Sequence, residues 1–239
     1  MPGYEEDDDM KQENGPTIEQ QPIPQGVTHL KVTDRGIDEY MRYLGFTQEQ
    51  QLRNFFIGKR FTSLGSGLKA TLEIFAHNSG AKEVHIIDPS LGLNPAEWTI
   101  RKGSINNSGN TFYRRGTELP VALELERDAM QRYQDERLAL LSRENMSIHA
   151  HFIPPFPNVA EQDILFDFWG PMAYLKSKDE RRDYLYSAVN SLAHGGRFYL
   201  ITDPDLDIEI QTSIVGDLRK QGIKVQFITQ PRHYIFTKP

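Results

Sequence analysis

The 239-residue sequence contains no cysteine, which excludes disulfides, thiolate metal ligands and cysteine nucleophiles together. It has no excess of positive charge: the formal net charge is −6, so no overall basic field would attract nucleic acid, although a local basic patch stays open. No apolar run approaches the roughly 20 residues of a membrane helix, and no secretory signal opens the chain. We therefore expect a soluble, cytoplasmic protein with no membrane or nucleic-acid partner.

The N-terminal segment has few residues that could form a core. Residues 1–26 are first acidic and then rich in glutamine and proline (EEDDD, QQPIPQG). Such a composition buries too little apolar surface to offset the entropy of ordering the chain. We predict a disordered arm over 1–26 and one folded domain over 27–239. Within that domain we expect an insert at about 89–146, consisting of a loop and then a long helix.

One stretch, residues 60–89, predicts a strand, a glycine turn, a helix and a second strand. The turn is Gly65-Ser66-Gly67, and Asp88 ends the second strand. A glycine turn lets a ligand approach the backbone, and the helix behind it offers free N–H groups. Asp88 follows Gly65 by 23 residues (88 − 65), near the ~20 expected of an acid that accepts both ribose hydroxyls. These four residues predict a nucleoside-containing cofactor; the alternative is a tight turn and a loop-capping aspartate.

The rest of the chain alternates apolar strands with amphipathic helices. Helices are predicted over 36–44, from Thr47 with Gln50 in a capping box, over 68–80, over 119–144, from Ser177 with Glu180 in a capping box, and over 208–221. Strands are predicted at 60–64, 84–87, 147–152, 163–168, 197–202, 223–229 and 233–238. Residues 89–116 show no sustained period and are predicted as a loop.

This alternation determines the fold class. Strands separated by helices indicate a parallel sheet covered on both faces. The very short link between the last two strands permits only an antiparallel pair. We predict an α/β fold with a Rossmann-like, doubly wound, mostly parallel seven-stranded sheet and an antiparallel C-terminal strand.

From about Thr47 to the C-terminus, the chain resembles the class I S-adenosylmethionine-dependent methyltransferases. LGSG at 64–67 resembles the family's cofactor turn, VHIID at 84–88 its ribose strand, and DILFDFWGPMAYL at 163–175 its fourth strand and active-site loop. The resemblance implies S-adenosylmethionine as cofactor and an unidentified acceptor, either a small molecule or a protein. Ser63 and Lys69 depart from the pattern, since the family usually has an acid at the first position and often a glycine at the second.

The ends of two predicted strands supply candidates for catalysis. Asp167 and His151 could each take a proton if the acceptor must lose one early, and Asp167 comes first because it lies nearest the expected methyl group. The alternative for Asp167 is a cap for the turn behind it. Trp169 is a candidate for stacking on adenine or on a flat substrate; the alternative is a core tryptophan. His149 and His151 share a strand face, but no third ligand is near in sequence, and we predict no metal site.

Catalysis is expected to come chiefly from holding two reactants close and dry, with the insert acting as a lid. Two other classes stay open. GSGLKA also fits the dinucleotide pattern G-x-G-x-x-A with Ala70 in the third place, which is typical of nicotinamide or flavin oxidoreductases. The antiparallel C-terminal pair argues against them. A non-catalytic methyltransferase-like binding module is the other alternative, because Ser63 replaces the family's acid.

Overall fold

The computed structural model describes residues 18–20, 23, 27–33, 35–67, 69–101, 109–116, 127–153, 156–157, 159, 161–202 and 210–239. The strands in these ranges are β1 Ile18–Gln20, β2 His29–Thr33, β3 Arg60–Leu64, β4 Glu83–Ile87, β5 Trp98–Arg101, β6 Gly109–Arg114, β7 Met146–Ala150, β8 Gln162–Phe168, β9 Leu192–Ile201, β10 Lys224–Thr229 and β11 Arg232–Thr237.

The main sheet of the described chain has eight strands in the order β1-β7-β4-β3-β8-β9-β11-β10. Its pairs are parallel from β1 to β9, whereas β11 is antiparallel to both of its neighbours. The central strands β3 and β8 are almost continuously buried, as expected of strands that are covered on both faces. The predicted seven-stranded, mostly parallel sheet with one antiparallel C-terminal strand is confirmed, and β1 adds an eighth strand at the edge.

Helices cover the main sheet on both faces. They are α1 Ile37–Leu44, α2 Glu49–Phe56, α3 Thr71–Asn78, α4 Arg127–Leu141, α5 Lys178–Asn190 and α6 Val215–Lys220, the last preceded by a π-helical turn at Ile210–Ile214. One apolar core joins α1, α2, α3 and the end of α4 to one face, and a second joins α5 and α6 to the other. Within the described ranges no helix is long and apolar enough to cross a membrane.

A second, three-stranded antiparallel sheet corrects the predicted loop at 89–116. Its order is β2-β6-β5, and its core includes the fully buried Trp98 and Phe112 together with Met130 of α4. Trp98 and Ile100 alternate with polar residues along β5, a strand pattern that is too short to stand out among the glycine and asparagine residues around it. The insert is therefore a small sheet with a helix packed on it, completed by β2 from the N-terminal side.

The N-terminal prediction needs a smaller correction. Ile18–Gln20, inside the segment predicted as a disordered arm, pairs in parallel with Ile148–Ala150 of β7. Such an edge strand can form because backbone pairing needs no apolar side chains. The prediction for residues 1–17 lies outside the described residues.

Several element ends differ from the sequence patterns. Helix α2 begins at Glu49, and the carboxamide oxygen of Gln51 accepts from the N–H groups of Thr47 and Gln48, so the predicted box with Gln50 is wrong by one residue. The box of Ser177 and Glu180 is confirmed. Strand β9 begins at residue 192 rather than 197, and α4 lies within the predicted helix 119–144, of which 119–126 lie outside the described residues.

The order of the strands determines where a ligand can bind. From the central β3 the chain moves to β4 and β7 on one side, then returns to β8 and β9 on the other. The loops that leave the carboxyl ends of β3 and β8 therefore diverge. In open α/β sheets, ligands bind in the crevice at this switch point.

A test of the β8–β9 junction uses two glycines. A Cβ at Gly196 would lie 2.6 Å from the carbonyl oxygen of Gln162 and 2.9 Å from that of Ala193, both rigid backbone atoms. We expect Gly196→Ala to lower the free energy of unfolding by about 1–3 kcal/mol. Gly216→Ala, on α6 with nothing within 4 Å, should instead raise it by up to about 1 kcal/mol. Urea denaturation measures both; equal midpoints would contradict the packing described.

Candidate functional site

A cleft opens at the carboxyl edge of the main sheet, at the switch point between β3 and β8. It encloses about 680 Å³, a figure that includes space open to solvent. Five of the residues selected from the sequence line it: Gly65, Gly67, Asp88, His151 and Trp169. Four separate loops bring them there, after β3, β4, β7 and β8. The remaining two candidates, Ser66 and Asp167, are buried behind its wall.

The glycine turn has the geometry that favours glycine. Gly65 and Gly67 have φ values of +93° and +68°, a region where a Cβ causes strain. The N–H of Gly65 donates to the carbonyl of Ile87 at 2.9 Å, which ties the turn to the end of β4. Helix α3 begins at Thr71, later than the predicted start at Leu68, which lies outside the described residues. The turn between β3 and α3 is thus longer than the sequence pattern indicates.

The loop after β8 rests directly on this turn. A Cβ at Gly170 would lie 2.2 Å from the carbonyl oxygen of Leu64, and one at Gly65 would lie 3.4 Å from the Cα of Gly170. The two backbones touch because neither residue has a side chain at the contact. This contact forms the floor between the two loops that bound the cleft.

Asp88 holds two loops together through its carboxylate. Its Oδ2 accepts from the N–H and hydroxyl of Ser66 at 3.1 and 3.0 Å, and its Oδ1 accepts from those of Ser90 at 2.8 and 2.6 Å. Only 4% of the residue is exposed. The loop-capping role considered as the alternative is therefore present. Asp88 is also one of the residues that line the cleft.

Helix α4 closes the rear of this network with two polar residues that the sequence pattern did not single out. Arg137 donates to the carbonyl of Gly67 at 2.9 Å and lies 3.8 Å from Asp88, whose charge it offsets. Gln134, one turn earlier, donates to the carbonyl of Ser90 at 2.9 Å. Both side chains are buried. Their spacing of three residues puts them on one helix face. Many exposed charged residues of α4 have similar spacings, so the spacing alone does not show which pair is buried.

A third carboxyl lies beneath the glycine turn. Glu73, in the first turn of α3, is fully buried, and neither of its carboxylate oxygens has a hydrogen-bond partner within the described residues. Burial raises its pKa to about 7, and the nearby Ser63 hydroxyl lowers it only in part. Ser63 stands where the resembling family usually has an acid. Helix α3 therefore supplies a carboxyl close to the place where strand β3 has a serine.

Asp167 is fully buried and engaged on both oxygens. Oδ1 accepts from the N–H of Gly170 at 2.7 Å, and Oδ2 accepts from the N–H of Met172 at 3.2 Å and from the hydroxyl of Tyr184 at 2.5 Å. Burial raises its pKa to about 6, against the effect of these three donors. These hydrogen bonds are the ones expected if Asp167 caps the turn that follows it, which was the alternative to a role as catalytic base. A role as base stays a prediction and requires the loop after β8 to move.

His151 follows β7 and lines the cleft. It continues a row of histidines on one face of the sheet, with the ring of His149 at 6.1 Å between centroids. His85 Nδ1 lies 3.3 Å from His149 Nε2, and burial, then His149, lowers the pKa of His85. In the ranges that the structure describes, no group of three or more His, Asp or Glu side chains could hold a metal ion.

Trp169 is 42% exposed and adopts a φ of +57° at the rim of the cleft, so the core alternative for it is wrong. The guanidinium of Arg35 lies 5.0 Å from the centroid of its ring, within cation–π range. Arg35 also lines the cleft, which sequence patterns did not indicate because it precedes α1 in a segment without a motif.

No protein-family model matches the sequence, and no curated protein matches it. Solved structures are similar in fold. N-methyltransferase NodS of Bradyrhizobium japonicum with S-adenosyl-L-homocysteine is 15% identical, with 86% of this chain and 90% of that chain covered and a TM-score of 0.47. An rRNA methylase of Streptococcus thermophilus is 12% identical, with 86% and 96% covered and a TM-score of 0.42.

An amino pentose methyltransferase of Micromonospora echinaspora with S-adenosylmethionine bound is 11% identical, with 85% and 96% covered and a TM-score of 0.44. Similarity at this level concerns the fold alone. With TM-scores below 0.5, these structures do not indicate what this chain binds or which reaction it catalyses.

The buried Glu73 predicts a pH-dependent stability difference. Because its folded pKa of about 7 exceeds the ordinary 4.5, wild-type stability falls as pH rises between these values. Glu73→Gln lacks this loss, so its stability relative to wild type should rise by roughly 3 kcal/mol from pH 4 to pH 8. Denaturation at several pH values measures the difference.

Glu180→Gln is the control of opposite sign. The backbone N–H of Ser177 holds the pKa of the exposed Glu180 below its ordinary value, so this variant should lose stability relative to wild type as pH rises. A Glu73→Gln curve parallel to wild type would show that Glu73 is not the buried, unpartnered carboxyl described.

Proposed function

We propose that the protein is an S-adenosylmethionine-dependent methyltransferase that acts on an unidentified acceptor. The observation that carries this is the cleft at the switch point, where the glycine turn after β3 and Asp88 after β4 face one cavity with His151 and Trp169. A nucleoside ligand needs a close backbone approach and an acceptor for its ribose hydroxyls. The glycine turn supplies the first and Asp88 the second, and both line the same cleft.

The residues fit the cofactor in a specific way. Gly65 and Gly67 leave the backbone open to it, and Asp88 would accept the ribose hydroxyls in place of the hydroxyls of Ser66 and Ser90. The two serine N–H donors would stay on the carboxylate, so it keeps its orientation. The exchange replaces two hydroxyl donors on the carboxylate by two others. The displaced Ser66 hydroxyl can still donate to the carbonyl of Gly67 at 3.3 Å, and Ser90 Oγ still accepts from Arg137 at 3.2 Å.

When bound, the cofactor would supply an electrophilic methyl group on a positively charged sulfur, whose transfer to the acceptor's lone pair would leave the carbon–sulfur electron pair on sulfur. The protein's main task is alignment and exclusion of water. If the acceptor carries a proton, His151 is the imidazole that lines the cleft and would take it. Asp167 could assist only if its loop released it, because its carboxylate is fully engaged.

One observation favours a second candidate, a non-catalytic binding module. Both oxygens of Asp88 are already satisfied, and Arg137 offsets its charge from behind. A site whose acid is complete without ligand can also serve as a purely structural junction. Binding of the cofactor product separates these two candidates.

Calorimetry with S-adenosylhomocysteine tests the proposal. We expect saturable binding to the wild type and a loss of about 1–3 kcal/mol in Asp88→Ala, which removes the ribose acceptor. Asp135→Ala removes an exposed carboxylate from α4 and should bind like the wild type. Far-ultraviolet circular dichroism of each variant controls for folding. No binding by the folded wild type would favour the non-catalytic module, and tight NAD binding in its place would favour the oxidoreductase.

Tryptophan fluorescence gives a second test. The chain has two tryptophans, and Trp98 is fully buried in the small sheet, away from the exposed Trp169. S-adenosylhomocysteine should quench the wild type, and Trp169→Phe should lose most of that change because it retains only Trp98. Equal ligand-dependent changes in both proteins would remove Trp169 from the site.

A further inference from the structure

The rim of the cleft carries two exposed aromatic side chains. Trp169 and Tyr174 are 42% and 44% exposed, lie on the same loop after β8, and both line the cleft. Large aromatic side chains are mostly buried in this chain, and exposing two of them at one opening is unfavourable unless they serve a contact. Behind them the wall is apolar, formed by Leu30 and Val32 of β2 and by Phe152. A flat apolar ligand would cover these surfaces.

One positive charge faces this aromatic surface. Among the described residues that line the cleft, Arg35 is the sole arginine or lysine. Its side chain is only 7% exposed, so its charge is poorly screened by water. Its approach to Glu39 runs through Nε at 3.5 Å, the long limit of a hydrogen bond, and Glu39 is one-third exposed. A carboxylate at shorter range can therefore compete with Glu39. The charge of Arg35 also acts on the Tyr40 hydroxyl and on the buried carboxyl of Asp167, so a ligand carboxylate would add to contacts that Arg35 already makes.

The negative charges near the cleft are already engaged. Asp88 is the sole carboxylate that lines the cleft among the described residues, and it is bonded by Ser66 and Ser90 and offset by Arg137. Asp167 is buried beneath the loop and held by three donors. A cationic ligand would therefore meet Arg35 without a free carboxylate to receive it. An anionic ligand has a cation and no competing exposed anion.

We propose that the cleft takes a planar aromatic acceptor that carries a carboxylate, with its ring against Trp169 and its carboxylate on Arg35. Arg35 presents its guanidinium beside the face of Trp169, so the two contacts occur at one place. Arginine suits this role because its planar fork can bond a carboxylate with two N–H groups while it lies against an aromatic ring. Calling this ligand an acceptor rests on the proposed methyltransferase function. Its binding can be tested without methyl transfer.

Calorimetry with three probes tests it: 2-naphthoate, its neutral isostere 2-naphthamide, and the saturated, non-planar decahydro-2-naphthoate. Each is titrated into the full-length protein with and without saturating S-adenosylhomocysteine. We expect wild type to bind 2-naphthoate at least tenfold more tightly than either of the other two probes. The amide comparison isolates the charge, and the saturated acid isolates the flat ring.

Variants assign the two contacts. Arg35→Met should reduce the preference for naphthoate over naphthamide to less than threefold, whereas Arg35→Lys should keep part of it. Trp169→Leu should weaken both aromatic probes by at least fivefold and leave the saturated acid unchanged. Arg182→Met removes an exposed arginine of α5 and should behave as wild type. Thermal unfolding of each variant shows that it is folded.

Any of four results overturns the proposal: no saturable binding of 2-naphthoate to wild type, equal binding of the amide, equal binding of the saturated acid, or a charge preference that survives in folded Arg35→Met. These outcomes are independent of cofactor binding. Loss of naphthoate selectivity with intact S-adenosylhomocysteine binding refutes the acceptor class alone, whereas naphthoate binding without S-adenosylhomocysteine binding refutes the proposed cofactor.

Discussion

The contact between Gly170 and the carbonyl of Leu64 is the constraint on which the cleft depends. Strand β3 ends in a glycine turn, and the loop after β8 passes over it. A Cβ at Gly170 would lie only 2.2 Å from the carbonyl oxygen of Leu64. Asp167 fixes the loop from below by accepting from the N–H groups of Gly170 and Met172. Trp169, next to this contact in the chain, has a left-handed backbone conformation and lies at the rim of the cleft.

Three buried carboxyls surround the glycine turn, and each is stabilised differently. Asp88 has four donors and an arginine, and Asp167 has three donors and a weaker influence from the charge of Arg35. Glu73 has no hydrogen-bond partner within the described residues. The pKa of Asp167 is accordingly raised to about 6 and that of Glu73 to about 7. Desolvation by burial is the main cause for both Asp167 and Glu73, and the three donors of Asp167 oppose it there.

The main sheet could be predicted from the sequence because its strands and helices show hydrophobic patterns over short stretches of chain. The apolar run of β8 and the spacing between the glycine turn and Asp88 each express one local rule, and the main sheet follows from them. Arg137 and Arg35 could not be predicted, because a sequence does not show which of many charged side chains faces inward. The small sheet was missed because its strands are short and lie among residues typical of turns.

The two N-terminal strands pair with partners much later in the chain. Strand β1 pairs with β7, and β2 pairs with β6 and presents Leu30 and Val32 to the cleft. During synthesis from the N-terminus, these segments emerge first but have nothing to pair with until residues 109–150 have followed. Pairings between distant segments also form slowly, because closing the intervening loop costs entropy before any contact is gained. The wall formed by Leu30 and Val32 therefore depends on β6, so a chain interrupted before β6 would lack the pairing that holds this side of the cleft.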